Sequence, residues 1–277
     1  MEVFRPTALG EALEARAAHP DALAIAGGTD VMVELNFDKA RPPAILDLTA
    51  VPELAQIERE NGAIRIGAGV PYTRVIEELQ DVLPALAQAS RTVGSPQIRN
   101  RGTIGGNLGT ASPAGDAHPP LLAAAATVEV ASARAKRSIA VDAFFEGPGR
   151  STLQPDELVT AVTVPTAGAR EQFAKIGTRN AMVIAVCSFA VRVDRERSRV
   201  GTGIGSAGPT PLRAFEAEAF LTGVIEADEP IDEVVRKRFG ELVSQAARPI
   251  DDHRGTADYR RHALGVLATR TLAWACA

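Results

Sequence analysis

Only two cysteines, Cys187 and Cys276, occur in 277 residues. Two thiolates cannot ligate an iron–sulfur cluster of the usual four-thiolate kind, so any such cluster belongs to another chain. The four histidines, His19, His118, His253 and His262, show no metal-ligand spacing. No serine or cysteine stands in a nucleophile-elbow pattern. Hydrophobic runs are far too short to span a bilayer. The opening MEVFRPTALGEALEARAA lacks a basic region followed by an apolar stretch, so a signal peptide is not expected. Net charge is −4, with no basic patch to suit nucleic acid and no block of like charge to suit a disordered tail. These absences lead us to expect a cytoplasmic protein without nucleic acid or membrane as partner.

Apolar residues make up 45% of the chain, so a large core forms without staples. The length suits two domains, or one with subdomains. Residues 94–116, GSPQIRNRGTIGGNLGTASPAGD, stand out for their glycines and prolines and hold few large apolar side chains beyond Ile98, Ile104 and Leu108. Such a run does not read as an ordinary helix or core strand. It is either a solvent loop built of turn residues or a backbone cradle over Thr103, Ile104, Gly105, Gly106 and Asn107, whose N–H groups converge on an anion. A similar element lies upstream. The apolar run 22–25 reads as a buried strand, residues 26–30 (Ala26, Gly27, Gly28, Thr29, Asp30) break it, and Val31 begins a helix-like pattern. Strand, glycine turn and helix start is a geometry that meets a phosphate. Two such turns can hold a diphosphate from opposite sides. Neither reads GxGxxG, so a Rossmann domain is not implied.

The pair AGGTD and TIGGN, followed by Ser112, Pro113 and Asp116, resembles the FAD-binding subunit of the molybdenum hydroxylases. That group includes the medium subunit of carbon monoxide dehydrogenase and the flavin subunits or domains of xanthine dehydrogenase. The resemblance runs over essentially the whole chain, and the second motif with its flanking IRN and SPAGD is the specific one. It implies an α+β fold: a two-subdomain FAD-binding domain of the p-cresol methylhydroxylase/vanillyl-alcohol oxidase type, then a C-terminal α/β domain with an antiparallel sheet and helices. The boundaries expected are 1–55 and 56–168 for the two subdomains, with FAD between them, and 169–277 for the C-terminal domain. Some relatives carry cluster-binding cysteines in an inserted loop; this sequence has none.

Along the chain, residues 3–6, 22–26, 44–48, 64–70, 127–130, 137–140 and 158–164 read as strands. Thr7 is placed to cap a first helix, and residues 82–92 and 116–126 read as helices. Beyond 169, two long strands over 182–193 and 199–206 precede helices over 212–221, 231–245 and 256–274. Strands followed by helices suggest an antiparallel sheet covered on one face.

Asp116 reads by itself as a surface helix cap and Ser112 as a turn serine; the resemblance places Asp116 against the flavin and lets Ser112 reach a phosphate or the ribityl chain. Lys175 shares a strand face with Phe173. Most such lysines are solvated, but the matching lysine in the related proteins sits near the flavin, where a cation favours the reduced, anionic form. Arg179 can act similarly, and Val159 matches a position whose backbone lies by the flavin. His118 reads as structural, Cys187 as a buried thiol, and Asp251, Asp252, Arg254 and Arg260 as an ion-pair network around a turn.

The function implied is that of an oxidoreductase subunit with no catalytic side chain of its own, since the flavin carries the chemistry. Electrons arrive singly from a [2Fe–2S] small subunit, supplied by a molybdopterin large subunit, and leave in pairs to NAD⁺, dioxygen or a quinone. The unit is a heterotrimer, possibly doubled. Two alternatives stand beside it: a self-sufficient flavin oxidoreductase of the same binding fold, and an assembly protein whose glycine loops hold no cofactor.

Overall fold

Three short strands, Glu2–Phe4 (β1), Leu23–Ile25 (β2) and Ala44–Asp47 (β3), form a parallel sheet in the order β1-β3-β2. The computed structural model describes residues 1–60, 62–166, 168–180 and 182–276. Helices Leu9–Ala18 (α1) and Val31–Asn36 (α2) connect the strands, as parallel pairing requires. Ala8, not Thr7, stands at the N-cap of α1; Thr7 instead donates its N–H and hydroxyl to the Glu11 carboxylate.

A five-stranded antiparallel sheet follows in the order β4-β5-β10-β6-β7. Its strands are Ile57–Glu60 (β4), Ala63–Gly67 (β5), Thr127–Ala131 (β6), Lys136–Ala140 (β7) and Leu158–Pro165 (β10). A two-stranded ribbon, Phe145–Gly147 (β8) with Arg150–Ser151 (β9), lies between β7 and β10 in sequence. Strand β4 and this ribbon were not expected; they are polar and short, and pairing rather than pattern makes them strands.

Between β5 and β6 come helices Tyr72–Leu79 (α3), Pro84–Thr92 (α4), Pro96–Arg99 (α5), Ile104–Thr110 (α6) and His118–Ala123 (α7). The glycine-rich run is thus not the irregular cradle expected, because α5 and α6 lie inside it. Thr103 caps α6 by accepting from the Gly106 N–H at 2.9 Å. Ile104 and Leu108, one turn apart, are both fully buried, and Ala111 ends the helix at φ 46°. One cap and one apolar stripe offset the poor helix propensity of its glycines.

The third sheet is antiparallel, Arg170–Ile176 (β11), Cys187–Asp194 (β12) and Arg199–Gly205 (β13), followed by Phe215–Glu226 (α8), Glu233–Ala246 (α9) and Ala257–Cys276 (α10). Helix α8 starts later than its apolar pattern suggests, because Leu212 is used in a backbone bridge to Ile204. The sheet is also covered on both faces, not one. Helices α8 and α10 pack on one side, α4 and α7 on the other. Gly201 and Gly203 make the second contact possible: a Cβ on either would stand 2.0 Å from the carbonyl oxygen of Ala123 or Pro119. Ala85, Ala89, Ala123, Phe173 and Ala190 fill that junction. Separate larger cores lie under the first two sheets and under the third. Among the described residues no helix is long and apolar enough to cross a membrane, and no group of His, Cys, Asp or Glu is placed to hold a metal ion.

Candidate functional site

A cleft between the first sheet and the helices after β5 has a volume of about 960 Å³, at the upper end of the ~300–1,000 Å³ typical of small-molecule sites. Residues 26–31 all line it, with Thr103, Gly105, Gly106, Asn107 and Val159. The two glycine motifs, far apart in sequence, meet here. Gly27 packs so tightly that a Cβ would lie 2.0 Å from the Arg101 carbonyl oxygen. Thr110 at the end of α6 donates its hydroxyl to Asp30 at 3.0 Å.

The motifs are not equivalent. In the first, Gly28 takes φ +75°, which glycine adopts at little cost. The N–H groups of Gly27, Gly28, Thr29, Asp30 and Val31 donate to no acceptor among the described residues. In the second, four of the five N–H groups of the expected cradle are already used, and only that of Thr103 has no acceptor among the described residues. Ile104 donates to Val70 O at 3.3 Å, Gly105 to Ala68 O at 2.9 Å, Gly106 to Thr103 Oγ1, and Asn107 to Thr103 O at 3.0 Å. Gly105 is required by packing, since its Cβ would stand 2.4 Å from that of Ala68. Besides the Thr103 N–H, the second motif offers the cleft a side chain: Asn107 Oδ1 is buried without a partner.

Ile104, Ser112, Asp116 and Lys175 do not line this cleft. Ile104 belongs to the core, and Ser112 accepts from Ala114 N at 3.3 Å within its own turn. Asp116 is no surface cap. It is buried and paired with Lys175, whose Nζ also donates to Thr92 O at 3.1 Å. Burial pushes the Asp116 carboxyl above its ordinary range while Lys175 and Thr92 pull it back. Lys175 therefore presents an ion pair to its surroundings, not a lone positive charge. Arg179 is spent locally, its guanidinium donating to Met182 O. His118 is fully buried with Nε2 3.1 Å from Asn107 O, and burial lowers it to about 4, so it is neutral. Burial pushes the Cys187 thiol up to about 12.

Tyr72 was not singled out from the sequence. It is 2% exposed and lines the cleft, its N–H donates to Gly102 O, and its hydroxyl has no partner. The available signal was a phenol on the buried face of an amphipathic helix, shared with Val75 and Leu79.

Residues 1–167 match the family described as FAD binding domain in molybdopterin dehydrogenase, and residues 172–275 match the CO dehydrogenase flavoprotein C-terminal domain. The chain belongs to the FAD-binding subunits of the molybdenum hydroxylases. Among relatives, it is 31% identical to the putative xanthine dehydrogenase FAD-binding subunit XdhB of Escherichia coli K12, covering 99% of this chain and 95% of that protein. It is 36% identical to the nicotinate dehydrogenase FAD-subunit of Eubacterium barkeri over 80% of this chain and 79% of that one. Among solved structures, carbon monoxide dehydrogenase from Hydrogenophaga pseudoflava superposes with a TM-score of 0.91 at 28% identity, covering 99% and 96% of the two chains.

This flavoprotein subunit is thus an FAD-binding oxidoreductase component, and its cleft fits that cofactor on its own terms. Five uncommitted N–H groups suit phosphate oxygens. Buried polar atoms without partners, on Tyr72 and Asn107, are costly unless a ligand satisfies them.

Proposed function

We propose that this chain is the electron-transfer subunit of a molybdenum-containing complex, with a [2Fe–2S] small subunit and a molybdopterin large subunit as partners in the cytoplasm. The observation that carries the cofactor site is the open run of N–H groups at residues 27–31, facing a cleft that the second glycine motif closes. Bound FAD supplies the change from one-electron input to two-electron output, toward NAD⁺, dioxygen or a quinone.

The chain's own residues bind and orient. Residues 26–31 take the diphosphate. Thr103, Gly105, Gly106 and Asn107 form the facing wall, with Ile104 anchoring that wall in the core. Val159 lines the cleft beside the backbone irregularity between Val159 and Ala161 in β10. Ser112 shapes the turn leading to α7, and the Asp116–Lys175 pair ties that turn to β11. This buried pair holds the C-terminal domain against the cofactor domain. Names of relatives such as nicotinate dehydrogenase FAD-subunit support membership in a multi-subunit dehydrogenase.

The test is purification of the chain from its native source with metal analysis. Co-purifying subunits carrying molybdenum and iron, with flavin on this chain, are the expected result. A yellow chain that oxidises a donor with no partner present would overturn the subunit assignment in favour of a self-sufficient oxidoreductase.

A further inference from the structure

The diphosphate seat offered by residues 27–31 is electrically incomplete. N–H groups solvate an anion but carry no net charge, and a diphosphate brings two negative charges. Three arginines line the cleft: Arg16, Arg41 and Arg101. Arg16 donates to Ala22 O at 2.7 Å, and Arg41 is paired with Asp38. Arg101 is exposed and has no side-chain partner among the described residues. Asp30, the carboxylate of the turn, is held by Thr110.

The position of Arg101 is fixed from two sides. Its carbonyl abuts Gly27, so closely that no Cβ fits between them. Its N–H and that of Gly102 both donate to Ile98 O, at 3.1 and 2.6 Å. The side chain therefore starts from a rigid point beside the open N–H run. An arginine at such a point presents a fork of donors that matches phosphate oxygens.

We infer that Arg101 is the cation that recognises the cofactor's diphosphate at the first glycine turn. This role rests on the reading of the cleft as the FAD site. It makes Arg101 a selector for diphosphate-bearing flavin over uncharged flavin. Because the side chain is exposed, its contribution is screened by salt.

The experiment uses the full chain stripped of flavin and titrated with FAD, ADP and riboflavin at low and high NaCl. Arg101→Met is expected to raise the Kd of FAD and of ADP together by about tenfold at low salt, as loss of a charge-assisted hydrogen bond does. It should leave riboflavin binding unchanged and flatten the salt dependence of FAD binding. Arg101→Lys should recover part of the loss, and the melting temperature of the flavin-free protein should not move for either variant. Unchanged FAD and ADP affinity in Arg101→Met, or an equal loss for riboflavin, would overturn the inference while leaving the site intact. An unmodified chain that binds neither FAD nor ADP would overturn the site itself and this role with it.

Discussion

Thr110 and Asp30 are eighty residues apart in sequence and joined by a 3.0 Å hydrogen bond at the rim of the cleft. The bond links the last turn of α6 to the first glycine turn, so the two walls are held in one register. Thr110→Val removes the donor and keeps the shape. An exposed bond of this kind is worth about 0.5–1.5 kcal/mol. Titration should therefore show FAD affinity weaker by about two- to thirteenfold, with the melting temperature of the flavin-free protein nearly unchanged. Equal affinity would mean that the two walls are positioned without this bond.

Glycines lining the cleft should separate by what their Cβ would meet. Gly27→Ala forces a methyl group onto the Arg101 backbone, which cannot swing away as a side chain would. A loss of about 1–3 kcal/mol in urea unfolding is expected. Gly109→Ala meets nothing within 4 Å and lies in a helix. There it should stabilise the flavin-free protein by up to about 1 kcal/mol.

Lys175→Met should be among the most damaging single changes away from the cleft. It leaves the buried Asp116 carboxylate facing only Thr92. Breaking a buried pair from one side costs about 3–5 kcal/mol, whereas replacing both partners by apolar groups is often near neutral. The double variant Lys175→Met, Asp116→Leu should recover most of the stability in chemical unfolding. If it is no better than the single variant, the pair is not the coupling between the two halves.

His118 should make stability fall in acid. Burial lowers it to about 4 in the folded protein, against about 6.5 in an unfolded chain. Between those values the unfolded chain holds a proton that the folded one refuses, so stability rises with pH across that window. It is fully present above about pH 6.5, and roughly 3 kcal/mol is lost as pH falls to about 4. Asp116, raised by burial, works in the opposite sense, so comparison with a variant is needed. His118→Gln keeps a donor for Asn107 O and carries no charge. Its unfolding free energy should depend less on pH between 4 and 6.5 than that of the unmodified chain.

Local chemistry made much of the fold legible. Apolar runs such as 44–48 and 158–164 appear as strands within a residue or two of their expected ends, because burial on a sheet demands that pattern. The three C-terminal helices are likewise where their spacing puts them, α8 displaced by the Leu212 bridge. The run 94–116 misled in its conformation, since glycine content argues against helix. Its helix exists because Thr103 caps it and because Ile104 and Leu108 find a core built from β5 and β10. The covering of the third sheet by α4 and α7 was also not readable, since the glycine face of β13 has meaning only once a helix is laid on it.

By itself the sequence determined the kind of chain this is: two glycine turns with their flanks, too few cysteines for a cluster, and alternating runs that make an α+β fold. Only the tertiary structure decided which turn has donors to give. Ala68 and Val70, on the segment after β5, take the amides of Gly105 and Ile104, and Thr103 takes those of Gly106 and Asn107, while nothing among the described residues consumes those of the first motif. A backbone N–H looks alike at every position of a sequence. Whether it is free depends on which distant carbonyl the fold carries to within about 3 Å of it.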